Sequence, residues 1–394
     1  MEYNGIVLAD IHIGVMNFEE TYKEYMYLKN YIENHGKFDY AIIAGDLFDR
    51  RLYTNEKVLR IAYLIMILLL VNSKKLRIVN GTKSHDNEQY NLFLNMGNLL
   101  DGYKQDYDFR IIYTVEEEEL FPDLTVLYIP EEYVYDKKSY YEEFLLKNKK
   151  YDYVFGHGVI AEVMTNAVRH TKESTSKRKK PPVFTTAELK NICKGKVYFG
   201  HYHIHTNIDD KIFYVGSYSR FRFGEEEPKG FYITNYKDGE YSETFIENTH
   251  ALKYVTLAYG YDSDIFKNEN NLIDEMNNVI TNKKRYKVDK LRLMLNIPEN
   301  CPIAEFIIDF MSNKFRLDDS VKVEIVNGYI ENKKLANKEI VEDVFTKYAF
   351  MFDKSLDVED QLSQFIKIDY DKEIAPEKIK KYLVAQDINA LITE

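Results

Sequence analysis

Five short apolar runs, each closing on a cluster of Asp, Gly or His, constrain this chain more than any other feature. Residues 5–9 (GIVLA) lead into Asp10, Ile11 and His12. Residues 40–44 (YAIIA) lead into GDLFDR, and 76–79 (LRIV) into NGTKSHD. Residues 153–155 (YVF) lead into Gly156 and His157, and 197–199 (VYF) into GHYHIH at 200–205. Apolar runs of this length bounded by turn residues read as buried strands. The runs at 125–129 (TVLYI) and 212–215 (IFYV) have the same character. Between them, Phe18, Tyr22, Tyr25, Leu28 and Ile32 follow helical spacing, as do Leu59, Ala62, Ile65 and Leu69. Strands alternating with helices predict an α/β chain with a layered sheet. In such sheets ligands bind beyond the carboxyl ends of the strands, so the five polar clusters would meet in one crevice.

At 394 residues the chain is too long for one small core. The alternating pattern runs to about residue 248. Residues 249–333 read as a smaller α+β unit, with strands at 254–259, 291–297 and 321–326 and helices at 265–280 and 304–310. From 334 the pattern is helical: Ile340, Val344, Phe345 and Tyr348 share a stripe, and Pro376 suits the first turn before Ile379, Leu383 and Ile388. Cys193 and Cys301 are the only cysteines, which argues against a disulfide framework or a thiolate zinc site. The chain starts almost at once with a strand, and its most apolar run, residues 61–71, is shorter than the about 20 residues a bilayer span needs. A cytoplasmic protein with no membrane segment is expected. The net charge of -11 disfavours nucleic acid as a whole-molecule field, so any DNA contact must come from a local patch or from bound cations.

Asp10 and His12 are two apart, so on an extended segment they point the same way, and His201 and His203 repeat the arrangement. Singly, each cluster reads as a turn or a strand end. Five in order, each behind an apolar run, read as a metal centre. Oxygen and nitrogen donors without thiolate suit Mn, Fe or Zn. A carboxylate bridging two ions would set them about 3.5–4 Å apart, the spacing used for displacement at phosphorus. His205 shares the His203 face by alternation and reads either as a rim residue or as a polar residue leaving the strand. His35, His170 and His250 have no sequence partners and read as surface or satisfied histidines. Residues 169–180 carry six Lys/Arg against one Glu. Lys177, Arg178, Lys179 and Lys180 there would either follow a DNA backbone or belong to a solvated loop.

D-x-H, GD-x-x-DR, a third element ending in HD, GH and GH-x-H together resemble the ordered signature of calcineurin-like metallophosphoesterases. The run GSYSRFRFGEEEPKGF (216–231) resembles the SbcD-type DNA repair nuclease branch. The short third motif looks more like phage versions than cellular ones. The resemblance covers residues 1–248 by motif and the rest by layout. It implies a metallophosphoesterase β-sandwich flanked by helices (1–248), a small capping, DNA-binding domain (249–333) and a helical tail (334–394) that docks on an SbcC-type coiled-coil ATPase, with a homodimer possible in that branch. It implies two divalent ions, Mn²⁺ foremost. Asp10, His12 and His203 would hold one, His157 and His201 the other, and Asp46 would bridge them. Asp49 and Arg50 would brace the loop. His85, oriented by Asp86, would meet the leaving group. The third motif departs from the family, whose Asn before the His is a ligand of the second metal. Here Ser84 stands there, and Ser84, a water, Asn80 or Asn87 would fill the place, which implies a weakened second site. The expected activity is a DNA exonuclease and endonuclease acting in recombination and repair. The rival readings are a stand-alone phosphoesterase on a small substrate and a metal-free scaffold.

Overall fold

In the computed structural model, residues 1–86, 89–93, 107–145, 149–163, 179–315, 320–327, 357–370, 374–377 and 379 are described. The chain is a mixed α/β protein. β1 (Glu2–Leu8), β2 (Phe38–Ala44), β3 (Ser73–Val79) and β4 (Asp108–Ile112) run parallel in that order. A second sheet is built on β5 (Glu116–Phe121), β6 (Leu124–Ile129) and β7 (Tyr151–His157), while β8 (Val159–Ile160) and β9 (Val183–Phe184) pair with each other. β10 (Cys193–Gly200), β11 (Thr206–Asn207) and β12 (Ile212–Tyr214) extend that second sheet to the order β11-β12-β10-β7-β6-β5, in which β6, β7, β10 and β12 are parallel. β13 (Gly230–Lys237) and β14 (Glu240–Glu247) form a hairpin on the free side of β1.

Side chains alternate across a strand, so each sheet has two apolar faces to bury. Val7, Ala9, Tyr40, Ile42 and Ala44 of the first sheet share one core with Val126, Tyr128, Tyr153, Phe155 and Tyr198 of the second. The opposite face of the first sheet, through Ile6, Leu8, Ala41 and Ile43, packs on Leu28 and Ile32 of α1 (Phe18–His35) and Ala62, Ile65 and Leu69 of α2 (Leu59–Asn72). After the short helix α3 (Lys83–Asp86), α4 (Lys137–Leu145) and α5 (Thr186–Ile192) cover the outer face of the second sheet. Tyr141, Leu189 and Ile192 meet Leu127, Val154 and Val197 there. Each such apolar side chain contributes about 1.5–3 kcal/mol on burial. α1 opens on a capping box in which Asn17 accepts from the Glu20 amide and Glu20 reaches back to the Asn17 amide. Tyr22, placed on the apolar stripe by its spacing, is largely exposed on this helix.

The acidic run of β5 carries no strand signal in sequence. It pairs with β6, and one of its glutamates, Glu118, faces Arg77, buried on β3. Glu118 takes its guanidinium at 2.9 and 2.7 Å, and Asp108 accepts from it at 2.7 Å. Removing one partner of such a buried pair costs about 3–5 kcal/mol.

The chain divides into two compact units. One is Met1–Thr256 with Asn282–Arg292, and the other is Leu257–Thr281 with the described residues from Leu293 onward. β15 (Tyr254–Tyr259), β16 (Lys290–Ile297) and β17 (Val321–Asn327) form a three-stranded sheet in that order. α6 (Glu269–Arg285) and α7 (Ala304–Phe315) lie between its strands in sequence, and α6 runs four residues later than its spacing suggests at its start. In the tail, Ile366 of α8 (Val358–Tyr370) packs on Ile379 with Leu362 and Ile374. Ile340, Val344, Phe345, Tyr348, Leu383 and Ile388 lie outside the described residues. Among the described residues no helix is long and apolar enough to cross a membrane.

Candidate metal centre

The chemistry-bearing residues leave the carboxyl ends of parallel strands in both six-stranded sheets. Asp10 and His12 follow β1, Asp46 follows β2, His85 and Asp86 follow β3, Glu131 follows β6, His157 ends β7, and His201 and His203 follow β10. The loops are zipped together by backbone bonds: Asp10 N–H to Gly45 O (3.1 Å), His12 N–H to Asp46 O (3.0 Å), Glu131 N–H to Asn80 O (3.2 Å) and Gly158 N–H to Gly200 O (3.3 Å). Asp10, His12, Asp46 and His201 hold positive φ angles of 47°, 49°, 50° and 109°. That region is costly for residues other than glycine and clusters at functional sites. Close approach explains the glycines of the GD and GT motifs. A Cβ on Gly45 would meet His157 Nδ1 at 2.1 Å, and one on Gly81 would meet Asp46 Oδ1 at 2.2 Å.

Among the described residues, four groups of side chains converge closely enough to hold a metal ion: Asp10, His12 and His203; His12, Asp46 and His85; Asp10, Asp46 and His157; Glu131, His157 and His201. Asp46 belongs to two of them. Its Oδ2 lies 2.8 Å from His85 Nδ1, 3.3 Å from His157 Nε2 and 3.7 Å from His12 Nε2, while its Oδ1 accepts from the Thr82 amide at 2.6 Å. Asp10 accepts from the His201 amide through both oxygens at 3.0 Å. Burial alone would raise the Asp46 carboxyl, but the His157, His85 and His12 rings hold it well below the usual carboxylate range. His157 is raised by Asp46 in spite of its own burial.

The donor set fits a cation by its hydrogen positions. His203 Nδ1 faces Glu225 Oε1 at 3.1 Å, and His12 Nδ1 faces Asp49 Oδ1 at 3.5 Å. His157 Nδ1 faces the Ala44 carbonyl at 2.9 Å. Glu225 Oε1 and the Ala44 carbonyl only accept, so in neutral His203 and His157 the hydrogen sits on Nδ1 and Nε2 keeps a lone pair, whereas His12 Nδ1 is buried without a hydrogen-bond partner. The Nε2 atoms of His12 and His203 stand 3.0 Å apart, so at most one hydrogen lies between them. His157 Nε2 lies 3.3 Å from the Asp46 carboxylate, which favours a positive charge on or beside that nitrogen. Nitrogen and carboxylate donors at these separations favour a shared positive charge, a proton or a metal ion.

Residues around the centre hold it. Asp49 Oδ1 stands 3.5 Å behind His12 Nδ1, and Arg50 pairs with Glu56 at 2.9 and 2.7 Å to brace the following loop. Phe221 sets its ring edge-on to both His12 and His203, with centroids 5.2 and 5.5 Å away. Glu225 is buried yet held down to about 2 by His203, the Phe221 amide and Lys229. Lys229, fully buried, donates to the His203 carbonyl at 2.7 Å and to Glu227 at 2.6 Å.

Two expectations need correction. Asp86 is not the partner of the His85 ring; Asp46 is. The Asp86 carboxylate instead accepts the amides of Gly81 (2.8 Å), Asp46 (3.1 Å) and Phe48 (3.2 Å) and the Tyr90 hydroxyl, fastening the loops after β2 and β3. Burial and the Asp46 charge push it up to about 7. Ser84 is exposed on α3, whereas the converging groups are buried or half-buried. Asn80 donates its amide to Gly81 O, and Asn87 lies outside the described residues. The acid beside His157 and His201 is Glu131, which the sequence reading passed over. The signal existed: TVLYI ends in PEE just as the other runs end in their clusters.

His205 is a packing residue, bonded to the Tyr232 hydroxyl at 2.7 Å and stacked on Phe245. Lys179 and Lys180 are exposed; the Lys179 ammonium lies 5.2 Å over the Tyr135 ring and the Lys180 backbone bridges Val134. Lys177, Arg178 and His170 lie outside the described residues. The fold and site thus define an α/β protein whose buried Asp/His centre can hold a metal ion. No protein-family model matches the sequence, and no curated protein matches it.

Proposed function

We propose that this chain is a metal-dependent DNA nuclease of the calcineurin-like metallophosphoesterase kind, SbcD branch, hydrolysing phosphodiester bonds in recombination and repair. The observation that carries the reading is the place of Asp46, one carboxylate shared between the His12 side and the His157 side of the centre. The paired sheets, with helices outside and donors at the carboxyl ends of their parallel strands, support it. So does the GSYSRFRFGEEEPKGF run, whose Phe221, Glu225 and Lys229 fasten His203.

Asp10, His12, His203 and Asp46 would hold one divalent ion, and Asp46, His157 and His201 the other, with Mn²⁺ the expected metal. When bound, the ions would sharpen a water as nucleophile at neutral pH and draw charge from the phosphodiester oxygens. His85, tied through Nδ1 to Asp46 and half-exposed, leaves Nε2 to give a proton to the departing sugar oxygen. Asp49 and Glu225 keep the His12 and His203 rings aimed inward. DNA would be gripped by the 249–333 region and the basic segment at Lys177 to Lys180. An SbcC-type ATPase would bind the tail from 334, and the assembly would work in the cytoplasm, as a homodimer in that branch.

The test is cleavage of end-labelled linear DNA by the purified chain with Mn²⁺, Mg²⁺ or chelator, beside Asp46→Asn. Mn²⁺-dependent cutting that the variant loses is expected. Cutting that survives chelation or Asp46→Asn, or a preference for small phosphoesters over DNA, would overturn the reading.

A further inference from the structure

We infer that Glu131 is a direct ligand of the second ion, and that it makes the two metal positions equal in donor type and charge. The inference rests on the two-metal reading above. The backbone that carries Glu131 is fixed: it leaves β6 through Pro130, and its amide is bonded to Asn80 O at 3.2 Å. The side chain is buried. Its Oε2 stands 3.0 Å from His201 Nδ1, 3.9 Å from His157 Nε2 and 3.2 Å from the Thr82 hydroxyl that donates to it. Thr82 Oγ1 is also 3.4 Å from His157 Nε2. A carboxylate oxygen, two imidazole nitrogens and a hydroxyl therefore surround one point, with the Asp46 carboxylate against it.

The first position has two imidazoles (His12, His203), its own carboxylate (Asp10) and a share of Asp46. With Glu131 the second has two imidazoles (His157, His201), its own carboxylate and the other share of Asp46. Without Glu131 the second position would be one negative charge poorer, which is the condition for stepwise filling at rising metal concentration. With it, a hard divalent ion meets the same oxygen and nitrogen set on both sides. The weak second site that Ser84 implies gives way to two positions of similar affinity. Ser84 itself plays no part.

The experiment is an Mn²⁺ titration of the full chain by calorimetry, paired with electron paramagnetic resonance to detect two spin-coupled Mn²⁺ ions. The wild type is expected to take two ions with affinities within about tenfold, and to show the coupled signal. Glu131→Gln, equal in size, should keep one ion, weaken the other by tenfold or more, and lose the coupled signal. Ser84→Ala should match the wild type. Two ions with unchanged affinities in Glu131→Gln would overturn the Glu131 assignment while leaving the two-metal reading intact. A wild type that binds fewer than two ions would overturn the two-metal reading and the assignment with it. If circular dichroism shows Glu131→Gln unfolded, Glu131→Asp serves: its retracted carboxylate should weaken one ion and spare the other, and an unchanged pair would overturn the assignment.

Discussion

On the Asp10 side of the centre the imidazoles are steered from outside, where Asp49 stands behind His12 and Glu225 behind His203, each at the nitrogen that points away from the cluster. On the Glu131 side the steering differs. His157 is steered by a backbone carbonyl, and Glu131, like Asp10 opposite, stands within the cluster, against His201 and His157. Steering from outside fixes ring orientation and raises ligand basicity without adding charge at the ion. An inward carboxylate adds charge and less orientation. The same donors can thus be assembled in two ways, and the substitutions that weaken each side should differ accordingly.

The largest expected effect does not distinguish the sides. Asp46→Asn should release both ions and abolish cutting, because its Oδ2 faces both His12 and His157. Retention of one ion in that variant would mean the carboxylate serves a single position. Next, His85→Ala should keep both ions and lose on the order of 10²–10⁴ in cleavage rate, the range of a general acid. Metal analysis decides: a lost ion would make His85 a ligand of the Asp10 side. Smaller still, Glu225→Gln should weaken one ion by about 10–100-fold, the usual cost of losing a carboxylate behind a ligating His. The other ion should be untouched, so this variant and Glu131→Gln would be mirror images in an Mn²⁺ titration. Equal weakening of both ions by Glu225→Gln would erase the distinction between the sides.

The smallest effect on metal is expected at Glu24, which acts on the frame of the Asp10 side. Its carboxyl is buried on α1, where it meets the Ser219 hydroxyl and the Asn248 amide at 3.0 Å, and the neighbouring Tyr218 amide donates to Asp10 O. Burial pushes Glu24 up from 4.5 to about 8. Between those values the folded chain holds a proton that the unfolded chain releases, so stability falls as pH rises through this window. Glu24→Gln should flatten the fall in thermal midpoint between pH 5 and pH 8. An unaltered pH slope would show that Glu24 titrates normally.

The two sides also differ in how far the sequence discloses them. Asp10 with His12, and His201 with His203, are two-residue motifs legible in the sequence, although positive-φ backbone beyond the strand ends, and not strand alternation, aims them. The strands that carry them were legible because both faces of each are buried, which forces unbroken apolar runs. Glu131 has no motif partner. Its neighbours, Thr82, His157 and His201, come from three other strand ends; the pairing of β6 with β7 and β7 with β10 brings the histidines close, and the Glu131 amide bonded to Asn80 O brings Thr82. β5 was hidden for a related reason. Its glutamates find partners outside the strand, Glu118 in Arg77, Glu116 in Arg110 and Glu117 in Tyr151 and Lys149, and are not justified by their own propensity. Asp86 shows the reverse failure: next to His85 in sequence, it is turned by α3 into the amides of Gly81, Asp46 and Phe48. Adjacency along a chain says little about orientation once a helical turn begins.

The central claim, two ions sharing one carboxylate, is tested most directly by anomalous scattering at the manganese edge from crystals grown with Mn²⁺. The account predicts two peaks about 3.5–4 Å apart with Asp46 between them, one beside Asp10, His12 and His203 and the other beside Glu131, His157 and His201. A single peak, or peaks that Asp46 does not touch, would contradict it.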